Sequence, residues 1–330
     1  MTAEPSAGSQ SPLIKGQVKV AVLMGGIGEE RDISIQSGGC VAEALKQARL
    51  DVITYDVRPD HLDILEDSSI DVFFLALHGR FGEDGQLQQI LEDKGLCYTG
   101  SGPQACRLAL DKMASKKTFT KAGIPTPAAV EFKPNADPAK LEKQLNQLAG
   151  KFVVKPVTQG SSVGVTIVDN PKSALAEARK CAASFGDCMI EEFIAGRELT
   201  VGVLLGRALP IIEIKSKTDF YDYHAKYVDD RTQFLFDTIG DPSLTEKIEA
   251  ATIDCFNALG LRHFARLDFI LSDDGNFYAL EANSIPGLTS HSLLPKAAAR
   301  TGLSMSDLCM KIIKASLKNK KAAYSSRKSK

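Results

Sequence analysis

Short apolar runs alternate with amphipathic stretches from Val18 onward, and the period switches between two and about 3.6 residues. Val18 to Met24, Val52 to Val57 and Val72 to Leu77 are apolar runs of strand length, while Ile33 to Ala48 and Gln86 to Lys94 repeat apolar positions at helical spacing. Strand and helix in alternation predict a β/α unit around a parallel sheet. A helical pattern then runs from Gln104 to Lys121 and is stopped by Gly123, Pro125 and Pro127, which predicts a linker at 122–127.

Beyond the linker the pattern is α+β. Strands are expected at Ala129 to Phe132, Phe152 to Lys155, Val163 to Val168 and Cys188 to Phe193, with helices at Pro138 to Leu148 and Lys172 to Ser184. A third segment predicts strands at Leu199 to Leu205 and Leu209 to Ile214, a polar stretch from Ser216 to Arg231, and a helix from Leu244 to Leu259. Strands at Phe264 to Leu271 and Phe277 to Glu281 follow, then helices at Leu293 to Arg300 and Met305 to Leu317. No internal repeat interrupts this series. Residues from Lys318 to Lys330 are basic with little apolar content, and a frayed, solvated tail is expected there.

Composition narrows the class. With 330 residues, 44% apolar and 25% charged, the chain is globular and too long for one compact core, so two or three domains are expected. A net charge of −1 provides no global field for nucleic acid or anionic lipid. No run approaches about 18 apolar residues, so no membrane span is expected. Met1 to Pro12 lacks the basic start and apolar run of a signal peptide and reads as a disordered leader, so a cytoplasmic location is expected. The seven cysteines are odd in number and form no C-x-x-C pair, which argues for buried thiols rather than disulfides or zinc.

Arg266-x-Asp268 lies on one predicted strand, and Glu281-x-Asn283 ends the next. Period-two alternation places each pair on one face, and antiparallel pairing across Asp273 to Asn276 would bring Asp268 close to Glu281. Hard oxygen donors on rigid strands suit Mg²⁺ that holds a nucleotide. Taken alone, a surface hairpin with solvated acids explains them as well. The context favours a site, because a polar Gly/Pro loop from Ser284 to Ser292 follows and ends where a helix begins. Lys155, ending one strand, precedes the Gly/Ser turn at Gly160 to Gly164, a pairing able to wrap phosphates although it is no Walker A loop. Gly25 to Asp32 and His78 to Gly85 follow predicted strands of the parallel sheet, so both line the carboxyl edge where such sheets bind ligands. A dinucleotide fold is disfavoured: Gly26-x-Gly28 has Arg31 at the third small position, and Gly100-x-Gly102-x-x-Ala105 follows only a weak strand.

In series these motifs resemble those of D-alanine:D-alanine ligases. They are GGIGEERDIS, ALHGRFGEDG, YTGSG, LDK, VKPVTQGSSVGV, IEEFIAGRELTV, FYDYHAKY, ARLDF and LEANSIPGLTSHSLLP, in order from about Lys19 to Leu317. The resemblance implies an α/β, ATP-grasp fold of three domains. A leader (1–17) precedes an N-terminal parallel-sheet, substrate-side domain (18–111). A central ATP-grasp subdomain (112–193) is followed by a C-terminal one with metal site and lid (194–317) and by the basic tail (318–330).

The resemblance also implies roles. Lys112 and Lys155 would contact the phosphates of ATP, Glu191, Glu192, Phe193 and Ile194 would present backbone groups to adenine, and Glu198 would take the ribose. Asp268, Glu281 and Asn283 would hold two Mg²⁺ ions, for which Mn²⁺ substitutes. Glu30, linked to Ser161 and Tyr227, would hold the first D-alanine, with His78 and Leu293 on the substrate side. Ser292 would meet the second carboxylate. Lys226 would offset charge on the transferring phosphoryl group, while Arg266 and the Gly287 N–H would face the oxyanion. The stretch Phe220 to Tyr227 resembles a lid that excludes water. The Lys226-Tyr227 pair is that of dipeptide-forming members and favours D-alanine over D-lactate as second substrate. A homodimer is implied as well.

Gly28 departs from the family, which usually has Ser there. Another carboxylate–amine ligase of the same fold is the nearest rival, distinguished by which amino acid stimulates ATP cleavage. A non-catalytic nucleotide-binding protein would have no need of the full set Lys155, Arg266, Asp268, Glu281 and Asn283. His61 and His263 lie outside the motifs and are expected to be structural or surface residues.

Overall fold

The computed structural model describes residues 18–148, 150–215 and 232–328, with side chains described as far as residue 318. The N-terminal module runs β1 (Lys19–Gly25), α1 (Arg31–Gln47), β2 (Asp51–Val57), a single 3₁₀ turn at Asp63–Glu66, β3 (Val72–Leu75), α2 (Gln86–Asp93) and α3 (Pro103–Leu110). Strand β1 pairs in parallel with both neighbours, Lys19 opposite Asp51 and Val20 opposite Val72. Its alternation divides the two faces: Val20 and Val22 pack with Val41 and Leu45 of α1, whereas Ala21 and Leu23 pack with Leu87 and Leu91 of α2. The order β2-β1-β3 places the turns after β1 and β3 side by side at the carboxyl edge.

The helix expected from Gln104 to Lys121 is two helices. Asp111 is extended (φ −79°, ψ 102°), and its side chain accepts the Ala114 N–H at 2.9 Å, which caps α4 (Lys112–Lys121) and turns it away from α3.

The central sheet has β4 (Ala129–Phe132), β5 (Phe152–Pro156), β6 (Thr166–Val168) and β7 (Cys188–Glu192) in antiparallel order β4-β7-β5-β6. Helices α5 (Pro138–Leu145) and α6 (Pro171–Phe185) cover it, each started by a side-chain cap from Asp137 or Asn170 and a proline in the first turn. Val163 and Val165 stay outside β6: Ser161, Ser162 and Gly164 have φ of 53°, 58° and 71°, which no ladder accommodates.

The C-terminal module comprises β8 (Gly196–Leu204), β9 (Arg207–Ala208), β10 (Ile212–Lys215), β11 (Gln233–Phe236), α7 (Pro242–Ala258), β12 (Phe264–Ser272), β13 (Phe277–Asn283), α8 (Leu293–Arg300) and α9 (Met305–Lys328). Its described strands run β11-β10-β8-β12-β13, with β9 beside β8. The expected Leu209–Ile214 strand is thus shortened to β10, which begins only at Ile212, β9 and β11 were not anticipated, and α9 continues to Lys328 where a frayed tail from Lys318 was expected.

One core joins the first and last modules. Val20, Leu45 and Phe74 pack in the same cluster as Leu204, Phe264, Leu294 and Ile312, and the Phe74 and Phe264 rings lie 6.5 Å apart. Truncating a fully buried phenylalanine such as Phe264 costs about 3–5 kcal/mol. Helices α3 and α4 contribute Ala109 and Phe119 to the core of the C-terminal sheet, so α4 packs with that sheet although 112 was expected to open the central module. The central sheet has its own cluster, built from Phe132 to Ile190.

Candidate active site

Glu30 precedes α1 at the carboxyl edge of the parallel sheet. Ser161 Oγ, from the central module, donates to Glu30 Oε1 at 2.7 Å. Ser161 holds its left-handed conformation to do so, a strain of the kind concentrated at ligand sites. The Glu30 carboxylate is cradled by two glycines. A Cβ on Gly79 would collide with Oε2, and one on Gly160 would come within 3.1 Å of Oε1. Gly28 has a φ of 102°, a conformation side chains rarely adopt.

Strands β12 and β13 are antiparallel, with Asp268 directly opposite Glu281 and Arg266 opposite Asn283. Asp268 Oδ1 accepts from Thr200 Oγ1 (2.6 Å) and Arg266 Nε (2.9 Å), while Oδ2 accepts from Arg266 Nη2 (2.9 Å) and Asn283 Nδ2 (3.0 Å). Glu281 Oε2 lies 3.1 Å from Lys112 Nζ. Two adjacent carboxylates and an amide, each held by a group that a cation can replace, form an oxygen donor set that fits Mg²⁺. Among the described residues no three His, Cys, Asp or Glu form a metal cluster. Three protein donors are fewer than the six positions Mg²⁺ prefers, which leaves room for phosphate oxygens and water.

Two adjoining cavities meet over this pair. The cavity on the side of the central sheet is lined by Lys155, Glu191, Glu192, Phe193 and Ile194; the other is lined by Glu30, His78, Arg266, Gly287, Ser292 and Leu293. Lys112, Glu198, Asp268 and Glu281 line both and mark the seam. Lys112 Nζ also donates to the Gln159 carbonyl at 2.6 Å. Lys155 lines only the cavity on the side of the central sheet, where Nζ is 2.8 Å from Glu191 Oε1. Lys116, which sequence reasoning missed, approaches Glu191 Oε2 at 2.5 Å and donates to Thr126 Oγ1 and the Pro127 carbonyl. Burial lowers Lys116 to about 8 against the pull of Glu191. Burial pushes Glu191 up, yet Lys155 and Lys116 together hold it below the usual carboxylate range. The helical spacing of Lys112 and Lys116 was the available signal.

On the substrate side, Ser292 stands at the N-terminus of α8. Its Oγ accepts the Thr289 N–H at 3.0 Å and lies 2.8 Å from Thr289 Oγ1. A Cβ on Gly287 would come within 2.7 Å of Ser292 Oγ, so glycine is required for this approach. A helix N-terminus with an oriented hydroxyl suits a carboxylate. His78 is buried between Ser37 Oγ (2.9 Å from Nε2) and the Ile285 carbonyl (3.0 Å from Nδ1), and burial lowers it to about 4, so the ring is neutral. Glu83, also missed, accepts the N–H of Gly79 (2.7 Å) and of Ile285 (3.2 Å). Burial, then the neighbouring Glu30 carboxylate, raises it to about 8.

A family model described as D-ala D-ala ligase C-terminus matches residues 118–314, and one for the D-ala D-ala ligase N-terminus matches residues 61–101. A D-alanine–D-alanine ligase of Hydrogenovibrio crunogenus is 40% identical over 300 residues, covering 91% of this chain and 95% of that protein. The chain belongs to the D-alanine–D-alanine ligase family. Among solved structures, the D-alanine–D-alanine ligase of Bacillus anthracis aligns with a TM-score of 0.81 at 33% identity, covering 93% of this chain and 99% of that one. The same enzyme complexed with ATP gives 0.80 at 31% identity over the same shares. For a member of the D-alanine–D-alanine ligase family, the described part of the expected site is spatially contiguous. Lys226 and Tyr227 lie in the stretch 216–231, outside the described residues. Of the two histidines set apart from the motifs, His61 is exposed beside Tyr55 (2.8 Å), while His263 is buried against the Gly100 N–H (3.1 Å) and Ser316.

Proposed function

We propose that this chain joins two D-alanine molecules at the expense of ATP, forming D-alanyl-D-alanine, ADP and phosphate. The observation that carries the reading is the seam: an acidic pair with an adjacent lysine lies where a cleft lined by Lys155 and Glu191 to Ile194 opens into a chamber holding Glu30. A carboxylate is a poor acyl donor, so the first D-alanine, its ammonium on Glu30, attacks the γ-phosphate at the seam and becomes an acyl phosphate. Lys112 offsets charge on the phosphates, and Arg266 faces the reacting carbonyl. The second D-alanine places its carboxylate on Ser292 and, once its ammonium has lost a proton, attacks that carbonyl. Arg266 and the Gly287 N–H stabilise the oxyanion, a role worth about 3–4 kcal/mol per donor. Phosphate departs and the dipeptide remains.

Asp268, Glu281 and Asn283 would hold Mg²⁺, which when bound neutralises phosphate charge. On the resemblance we assign adenine to the Glu191 to Ile194 backbone, the ribose to Glu198, and the lid to the segment with Lys226 and Tyr227. The product suits peptidoglycan precursor synthesis. ATP as co-substrate and seven free thiols support a cytoplasmic setting, and among the described residues no helix is long and apolar enough to cross a membrane. A homodimer rests on the resemblance alone and is checked by sedimentation.

The test is phosphate release from ATP and Mg²⁺ with D-alanine, L-alanine, or D-alanine plus D-lactate, with products identified by mass. Release with D-alanine, accompanied by its dipeptide, is expected. Release with another amino acid only would transfer the reading to a different carboxylate–amine ligase.

A further inference from the structure

Ile285 to Leu288 is pinned at both ends by apolar burial, Ile285 against Leu77 and Phe81, and Leu288 in the cluster with Val41 and Leu45. Between them Pro286 and Gly287 line the substrate cavity. The N-terminal module also claims this stretch's polar groups. Glu83 accepts the Ile285 N–H, His78 Nδ1 meets the Ile285 carbonyl, and Ser37 Oγ accepts the Leu288 N–H at 3.3 Å.

The directions follow from valence. A carbonyl only accepts, so His78 carries its proton on Nδ1; Nε2 must then accept, and the Ser37 hydroxyl donates to it, 2.9 Å away. Both nitrogens of the His78 ring and the Ser37 hydroxyl proton are thereby committed, and neither ring nitrogen remains for a substrate. Pro286 has no N–H, so the stretch has three donors. Two are bound, and among the described residues only the Gly287 N–H has no acceptor.

We infer that Ser37, His78 and Glu83 are positioning residues that fix the Ile285 to Leu288 backbone and thereby aim the Gly287 N–H at the oxyanion of the peptide-forming step. The inference rests on the functional reading above. His78 then acts through Ile285 rather than on D-alanine, and the network serves the second half-reaction, leaving acyl phosphate formation to Lys112 and Arg266.

Rapid-quench turnover of the full chain with ATP, Mg²⁺ and D-alanine tests this, with ADP and dipeptide measured on the same samples and folding checked by circular dichroism. Two variants are used. Ser37→Ala removes the acceptor for Leu288, while His78→Asn keeps a donor toward Ile285 but offers Ser37 no acceptor. In each variant the ADP formed in the first turnover stays close to one per site, and the initial ratio of dipeptide to ADP falls at least about tenfold, a part of the 10²–10³ that follows complete loss of an oxyanion donor. The KM for ATP stays within about twofold. A smaller fall in that ratio, or ADP and dipeptide declining together, overturns the inference. Should Ser37→Ala not fold, His78→Asn decides by the same ratio. Wild-type protein that forms no dipeptide overturns the functional reading itself, and this inference with it.

Discussion

Two charge clusters border the cavity on the side of the central sheet, and they are built on opposite rules. At its far end one carboxylate, Glu191, is shared by Lys116 and Lys155, with side chains only 3–10% exposed. At the seam two carboxylates, Asp268 and Glu281, face Arg266 and Lys112; Asp268 and Lys112 are 8% and 10% exposed, but Glu281 and Arg266 keep 24% and 18% of their side-chain surface. In the first cluster the loss of Glu191 would strand two ammoniums in a dry interior. In the second, each carboxylate's partner can be exchanged for an incoming cation while water assists. The same residue types therefore hold the fold together in one place and remain available for chemistry in the other.

The largest effect expected from this contrast is on turnover. Asp268→Asn should lower kcat by about 10³, roughly 4 kcal/mol of barrier, while the denaturation midpoint stays near that of the wild type. A midpoint loss comparable to the loss of activity would erase the distinction. Glu191→Gln should do the reverse, costing about 3–5 kcal/mol of stability by urea titration because two buried ammoniums lose their counter-charge. Unchanged stability would show that water reaches this cluster.

Glu83 is an intermediate case, buried yet able to change its proton. Its folded value of about 8 lies above the 4.5 of the unfolded chain, so between those limits the folded state holds the extra proton and stability falls as pH rises. His78 acts oppositely: lowered from 6.5 to about 4, it makes stability rise with pH across that window. The two slopes offset one another below about 6.5, leaving a net fall from about 6.5 to 8 of at most about 1.4 kcal/mol per pH unit. Glu83→Gln should flatten that limb in thermal melts taken along a pH series; a persisting slope would assign it to another group. The smallest effect is expected from Lys116→Met, within about 1 kcal/mol, because a neutral Glu191–Lys155 pair remains. A loss as large as that of Glu191→Gln would mean that Lys116 holds the cluster together.

The sequence made much of the site legible because strand alternation is rigid: Arg266, Asp268, Glu281 and Asn283 share the register that period two requires. The parallel sheet was equally readable, since β1 and β3 are continuous apolar runs. What escaped depended on a side chain overriding a pattern or on contacts distant in sequence. Asp111 broke a helix that periodicity alone continues, and the two strained serines delayed β6. Lys116 looked like an ordinary helix-surface lysine, and only the fold brings Glu191 against it from 75 residues away. Glu83 stood within a recognised motif, yet one of its two N–H partners, Ile285, comes from a loop 202 residues away along the chain.

The stacking of Phe74 on Phe264 has a mechanical corollary. The N-terminal sheet and the C-terminal sheet are welded through one interior, whereas the central sheet keeps its apolar cluster to itself. Prising the first two apart would wet that common interior, so any widening of the cleft must be carried by the central sheet alone. The protein is a heavy anvil with one light jaw, and the Ser161 to Glu30 hydrogen bond is one of the points where the jaw meets it, beside those of Lys112 and Lys116 on α4.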